Sequence, residues 1–121
     1  MKKVIAIVVV LALSSCNLFK ENGIDFKIVN SSESQITDVK FYTTEKIQIA
    51  EFDKIERNKS VSDFLSMKDN QADGEYVLEF TRANGKKESS AAGYYTNGGS
   101  LNGWVRFEIK SDTTFIKFGN Y

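Results

Sequence analysis

Residues 76–95, YVLEFTRANGKKESSAAGYY, contain the strongest strand and turn signals in the chain. In the first half, large apolar residues alternate with other side chains, which is the pattern of a half-buried β-strand. The Asn84-Gly85 pair that follows is a strong short-range signal for a β-hairpin, because both residue types tolerate positive φ. We therefore predict two antiparallel strands here, the second over about Lys87–Tyr95, and an all-β fold.

The same period of two recurs on both sides of this hairpin. Similar runs begin, in chain order, at Ile24, Ile36, Ile47, Val61, Val105 and Thr113. Polar or glycine-rich turns separate the runs, and no amphipathic helix pattern of useful length interrupts them. About seven to nine short strands are expected, which favours an antiparallel β-sandwich, with a small β-barrel as the alternative.

The N-terminal sixteen residues, MKKVIAIVVVLALSSC, have the three parts of a secretory signal. Lys2 and Lys3 are positively charged, Val4–Leu13 is an unbroken apolar run, and two serines lead into Cys16. The apolar run has about ten residues, half of what a bilayer span needs. We therefore predict a signal helix, removed as residues 1–15, rather than a permanent transmembrane segment.

The end of this segment, Leu13-Ser14-Ser15-Cys16, resembles the lipobox of bacterial lipoproteins. The resemblance implies that Cys16 carries a diacylglycerol group and becomes the first mature residue, usually with its amine acylated as well. Two or more acyl chains anchor a protein stably, whereas one chain binds only marginally. Asn17 is not the aspartate that retains enteric lipoproteins in the inner membrane, so the resemblance implies an outer-membrane location. The alternative is an ordinary core cysteine after a signal peptide.

The remaining chain divides into a short tether and one domain. Residues 16–23 form the lipidated cysteine and a polar tether, which extends at most about 25 Å. Residues 24–121 have the size of one domain and form the predicted β-sandwich. This layout resembles that of small lipoproteins of the Bacteroidota, which combine a lipobox, a short tether and a β domain rich in Lys and Asn.

The composition argues against several classes of function. The chain has one cysteine and no histidine, so no internal disulfide forms, and hydrolases built on a Ser/His or Cys/His pair are excluded. Zinc and copper sites are not expected, and we predict no cofactor and no enzymatic activity. Without Lys2 and Lys3 the charge is about −2, which is no footprint for nucleic acid.

The most unusual stretch is residues 93–104, GYYTNGGSLNGW, in which aromatic residues flank small polar ones. These residue types are typical of recognition loops. The candidate binding residues are Tyr94, Tyr95, Asn97, Asn102 and Trp104. The alternative is a long hairpin connection whose aromatic side chains belong to the core, although a regular strand would bury only one of the two adjacent tyrosines. If Val105, Phe107 and Ile109 face the core, Trp104 and Arg106 face away from it.

Two further short patterns suggest sites. Asp69, Gln71 and Asp73 place oxygen side chains before Gly74, as in the first half of a calcium loop. An EF-hand is excluded because its twelfth position would be Phe80, so a partial metal site is the weaker alternative to a polar turn. Asp112-Thr113-Thr114 resembles a short O-glycosylation signal of some Bacteroidota, in which Thr113 would carry the glycan.

The sequence thus predicts a lipoprotein of the bacterial cell envelope, anchored in the membrane by its lipid and facing the periplasm or the outer surface. The expected function is a non-catalytic binding or accessory module for an envelope protein or a glycan. The alternative is a structural envelope lipoprotein without a specific ligand.

Overall fold

The computed structural model describes residues 21–121, so the predicted signal segment 1–15 and Cys16 lie outside the described residues. The described part is all-β, as predicted, and contains no helix that is long and apolar enough to cross a membrane. Its nine strands are β1 Gly23–Asn30, β2 Ile36–Thr43, β3 Ile49–Ile55, β4 Ser60–Ser66, β5 Gly74–Thr81, β6 Lys87–Thr96, β7 Gly99–Ser100, β8 Trp104–Ile109 and β9 Thr114–Gly119.

The strands form two sheets, which confirms the predicted β-sandwich. Sheet A has the order β4-β1-β8-β9, and sheet B has the order β3-β2-β5-β6-β7. Every neighbouring pair is antiparallel except β1 and β8, which run parallel. A parallel pair needs a long crossover, and here the whole of sheet B lies between the two strands in the chain. The sandwich is therefore mixed at this one pairing rather than purely antiparallel.

The core between the sheets contains most of the apolar side chains that the period of two predicted, but Ile47 and Ile49 are exposed. Phe41 of β2 is fully buried at its centre. Its ring centroid lies 4.6 Å from that of Phe26 and 5.4 Å from that of Phe107, and both of these residues belong to sheet A. On its own sheet it stacks at 6.2 Å on Tyr76. Edge-to-face and offset aromatic contacts of this kind add to the free energy of area burial.

The β5–β6 hairpin forms where the Asn84-Gly85 pair predicts it. The amide of Gly85 donates to the Arg82 carbonyl at 2.9 Å, and the amide of Arg82 donates to the Lys86 carbonyl at 2.8 Å. Gly85 has a φ of 87°, a left-handed conformation that glycine adopts without strain. The central hairpin of sheet B is thus specified locally.

The folded unit begins slightly before the predicted domain start at residue 24. Strand β1 begins at Gly23, and the side chain of Asn22 already joins three segments of the chain. Its amide group donates to the carbonyls of Met67 at 3.0 Å and Gly98 at 2.7 Å, and its oxygen accepts from the Ser100 amide at 3.1 Å. Asn22 and Gly23 therefore belong to the domain rather than to the tether.

We expect Phe41→Ala to lower the free energy of unfolding by about 3–5 kcal/mol, because it removes a buried ring and leaves a cavity between the sheets. The measurement is urea denaturation of residues 21–121. Phe115→Ala is the matched control, since Phe115 is 58% exposed on the outside of sheet A. A loss of about 0.5 kcal/mol or less is expected there. Equal losses in the two variants would contradict this description of the core.

Candidate functional site

The outer face of sheet A, meaning the side that points away from the core, has the most distinctive chemistry on the surface. Successive side chains in a strand point to opposite faces. Phe26 and Phe107 are buried, so their neighbours Lys27 and Arg106 point outward. Trp104 is half-buried at the start of β8, and its neighbour Val105 is buried. The predicted outward orientation of Trp104 is thereby confirmed.

The strand register arranges the outward residues of sheet A in rows. The first row runs across four strands and contains Phe64, Asp25, Trp104 and Gly119. The second row contains Ser62, Lys27, Arg106 and Lys117. The first row therefore contains two aromatic side chains and one carboxylate. The second row contains three cations and one hydroxyl, and we call it the cationic row.

The indole of Trp104 lies directly over Gly119. A Cβ atom built on Gly119 would lie 2.1 Å from an indole carbon, which is far inside van der Waals contact. Only glycine fits beneath the ring, and the ring in turn covers the backbone that a side chain would otherwise protect. Trp104 is only half-buried, so part of its indole stays accessible on the outer side of the sheet.

Two other aromatic side chains cover glycines near this position. The ring of Phe64 lies over Gly23, and the ring of Tyr121 lies over Gly103. The phenol of Tyr121 also donates a hydrogen bond to the Asp25 carboxylate. Three aromatic rings therefore surround Asp25 at one end of the outer face of sheet A.

Between these rings lies a depression of about 660 Å³. The volume is within the range of small-molecule binding pockets. The side chains that line it include Asp25, Lys27, Ser62, Phe64, Trp104 and Arg106. The lining thus combines aromatic surface with hydroxyl, carboxylate and cationic groups, as a site for a polar ring-shaped ligand requires.

The cations of the second row form no close ion pairs. Lys27, Arg106 and Lys117 are exposed, and within residues 21–121 none of them has an acidic group at ion-pair distance, although Arg106 interacts over a longer distance with the Glu108 carboxylate. Their neighbour Glu108 accepts hydrogen bonds from the Ser31 hydroxyl at 2.9 Å and pairs with Lys110 at 3.4 Å. These contacts, together with the Arg106 charge, lower the pKa of Glu108.

The structure does not bring the five predicted recognition-loop residues together. Tyr95 is fully buried in the core, where its hydroxyl donates to Glu45 at 2.9 Å, so it cannot reach a ligand. The cause is a β-bulge, because the register shifts where Gly93 and Tyr94 lie opposite Glu75. Gly93 has a φ of 75°, which is typical of such bulges. The bulge turns Tyr95 inward and leaves Tyr94 outside.

The other four residues occupy separate places. Tyr94 is 49% exposed and its hydroxyl donates to Asp73 at 3.2 Å, which raises the pKa of the phenol. The backbone amide of Asn97 donates to the same carboxylate at 2.8 Å. Asn102 is half-buried, and its carbonyl accepts from Ser100 at 2.7 Å. Trp104 alone belongs to the outer face of sheet A.

The sequence predicts that Arg106 faces outward with Trp104, but it does not reveal which other residues join them on this face. They are Asp25, Lys27, Ser62, Phe64, Lys117 and Tyr121. The outward positions of the strand residues follow from the period of two, which is a local signal, whereas Tyr121 lies beyond the end of β9. Their proximity depends on the parallel pairing of β1 with β8, and no short-range pattern reveals a pairing between such distant segments.

The predicted metal-site residues are exposed around a loop that the protein holds with its own hydrogen bonds. The carboxylate of Asp73 already accepts from Tyr94 and Asn97. Asp69 and Gln71 are exposed, while Asn70 between them is buried. Residues 21–121 contain no cluster of three His, Cys, Asp or Glu side chains suited to a metal. The hydrogen bonds to Asp73 account for the loop geometry as a polar turn, and the partial metal site stays a prediction.

Thr113 lies in the turn between β8 and β9. The turn is closed by a hydrogen bond from the Lys110 amide to the Thr113 carbonyl at 2.8 Å, and the Thr113 side chain is exposed. An exposed hydroxyl in a turn is accessible to a glycosylating enzyme. O-glycosylation at this residue remains a prediction.

We expect Trp104→Ala to lower the free energy of unfolding by about 1 kcal/mol, the usual scale of a cross-strand aromatic contact on a sheet surface. The indole covers Gly119 but does not enter the core. The measurement is the urea midpoint, with Trp104→Phe as the variant that keeps a ring over the glycine. A loss as large as that of Phe41→Ala would instead place the indole in the core.

We expect Glu45→Gln to reduce stability at pH 7 and to flatten its pH dependence at acidic pH. The amide of Gln71, the Asn70 side chain and the Tyr95 hydroxyl all donate to the Glu45 carboxylate, with the Gln71 amide as the main contribution. They lower the pKa of Glu45 below its usual 4.5. A lowered carboxyl pKa stabilises the fold above the unfolded-state pKa, and this stability is lost as pH falls through the folded-state value.

The check for Glu45 is a series of urea denaturations between pH 7 and pH 3 on wild type and Glu45→Gln. Glu33→Gln serves as the control because Glu33 is exposed in another loop. The wild-type protein should lose stability faster than Glu45→Gln below pH about 4.5. Parallel curves would show that these hydrogen bonds do not favour the ionised carboxylate.

Comparison with known proteins identifies a similar fold. No protein-family model and no curated protein matches the chain. The NMR structure of a protein from Eubacterium rectale superimposes with a TM-score of 0.55 at 10% sequence identity, covering 83% of this chain and 91% of that one. At this identity the likeness is one of fold alone.

Proposed function

We propose that this chain is a lipid-anchored lipoprotein of the bacterial cell envelope, held by Cys16, and that it acts without catalysis. Its β-sandwich binds an envelope protein or glycan through the outer face of sheet A. The observation that carries the binding role is the depression in which the accessible part of the Trp104 indole lies beside cations that form no ion pair within the described residues. Partly exposed tryptophan and arginine are the residue types that most often dominate binding energy.

The position of the depression fits an anchored protein. Gly23 lies under the Phe64 ring at the edge of the depression, and β1 begins there. The chain between Cys16 and Gly23 can span at most about 25 Å. A ligand bound on this face would therefore lie close to the membrane that holds the protein, which suits a component of the envelope itself.

A binding role fits the lining of the depression better than a catalytic one. The Asp25 carboxylate accepts a hydrogen bond from the Tyr121 hydroxyl, and Asp63 accepts one from the Phe64 amide at 2.8 Å. General acid–base catalysis needs a group poised to exchange a proton with substrate. Both acids instead serve to order the surface around the aromatic rings.

The second candidate is a structural lipoprotein without a specific ligand. The observation that favours it is the packing of Phe64, Trp104 and Tyr121 over glycines, since such contacts repair weak points in a sheet. In that case the rings would complete the sheet surface and the cationic row would only keep the protein soluble. The two candidates differ in whether Trp104 is needed for a ligand.

Two single substitutions in the full-length protein test the two halves of the proposal. We expect the Cys16→Ser protein to be absent from the membrane fraction and not to be labelled by a palmitate analogue. Immobilised on a column, this variant should still retain the envelope protein or glycan that the wild type retains. We expect Trp104→Ala to stay in the membrane fraction and to lose that retention. Each variant serves as the control for the other because the changes lie in separate parts of the chain.

Membrane partitioning and labelling of Cys16→Ser at wild-type levels would contradict the lipid anchor. Undiminished retention by Trp104→Ala would contradict the binding role of the depression. Absence of any retained protein or glycan in wild type, with the anchor intact, would favour the structural lipoprotein.

A further inference from the structure

We infer that the outer face of sheet A binds an acidic glycan, with a sugar ring on the accessible part of the Trp104 indole and its carboxylate or sulfate groups on the Lys27–Arg106–Lys117 row. This inference rests on the proposed function and names the ligand class of the same site. The geometry of the two adjacent rows is what points to it.

The first observation is the like-charge row itself. In the strand register, Lys27 lies opposite Arg106, and Arg106 lies opposite Lys117, so the row crosses three neighbouring strands. Adjacent strands lie about 4.8 Å apart, so three cations occupy a line of roughly 10 Å. Like charges directly opposite one another destabilise a sheet, and a bound anion would remove that cost. A ligand with several negative groups is thus complementary to the row.

The second observation is the distance between the row and the indole. Trp104 and Arg106 are two residues apart on β8, so they point to the same side at a spacing of about 6.8 Å. A sugar ring stacked on the indole would direct its substituents toward the guanidinium. Arginine binds carboxylate and sulfate-like groups through two parallel hydrogen bonds, which adds direction as well as strength.

A glycan fits this face better than a lipid surface does. Aromatic residues that anchor proteins in a bilayer extend into the headgroup region. The indole of Trp104 instead packs over Gly119 and lines a depression. Asp25 and Asp63 also line it, and their carboxylates can accept hydrogen bonds from sugar hydroxyls.

The test uses the fluorescence of Trp104, which is the only tryptophan in the chain. Full-length protein in neutral detergent micelles is titrated with polygalacturonate and, separately, with fully methyl-esterified polygalacturonate. The ester keeps the sugar ring and removes the charge, so it isolates the cationic row. Dextran sulfate and unmodified dextran form a second matched pair with a different anion.

We expect the Trp104 fluorescence to change when at least one of the two acidic polymers is added. The change caused by the uncharged polymer of the same pair should be at least tenfold smaller. Arg106→Gln and Lys117→Gln should each weaken the response at least threefold, because each removes one charge from the row. Lys40→Gln, an exposed cation on sheet B, should leave it unchanged. Circular dichroism of each variant confirms that the fold is retained.

Several results would overturn the inference. Equal binding of charged and neutral polymers would show that the face binds glycans but does not select acidic ones. Binding that Arg106→Gln and Lys117→Gln do not weaken would place the anion elsewhere. Binding of anionic phospholipid vesicles by Cys16→Ser protein, with no response to either acidic polymer, would assign the face to a membrane. Capture of an envelope protein through Trp104, again without a polymer response, would assign it to a protein partner.

Discussion

The position of every outward side chain on sheet A depends on the burial of Phe41 between the two sheets. Phe41 belongs to sheet B, and its ring contacts Phe26 on β1 and Phe107 on β8. No disulfide joins the sheets, because the chain has one cysteine. With Phe26 and Phe107 held inward, Lys27 and Arg106 must point outward, since a slip of one residue would exchange the two faces. The aromatic core therefore sets the register that creates the cationic row.

The period of two predicted those features that depend on neighbouring residues alone. It predicted the strands, the β5–β6 hairpin at Asn84-Gly85 and the burial of Val105 beside an outward Trp104. It also predicted that one of the adjacent tyrosines would be buried, which is Tyr95. These successes share a cause, because alternate side chains of a strand point to the same face of the sheet, so the buried face can be recognised from alternate residues of the chain.

Features that depend on distant partners were not predictable. The bulge at Gly93 decided which tyrosine is buried, and a single glycine does not reveal a bulge by itself. Asn30 looks like the start of a polar turn, yet it is fully buried, and its amide group donates to the Ile55 carbonyl at 2.9 Å. The depression around Trp104 requires β1 to lie beside β8, which only the complete strand order shows.

The contact of Trp104 with Gly119 explains how one side chain can serve the fold and a ligand together. The part of the indole that covers the glycine contributes about 1 kcal/mol or less, which is small beside the roughly 3–5 kcal/mol of a buried ring. Another part of the indole stays accessible, because Trp104 is only half-buried and lines the depression. Stability thus depends mainly on inward residues such as Phe41. The outward residues can change to suit a ligand at little cost to folding, and the repulsion within the Lys27–Arg106–Lys117 row is a cost that such a sheet tolerates.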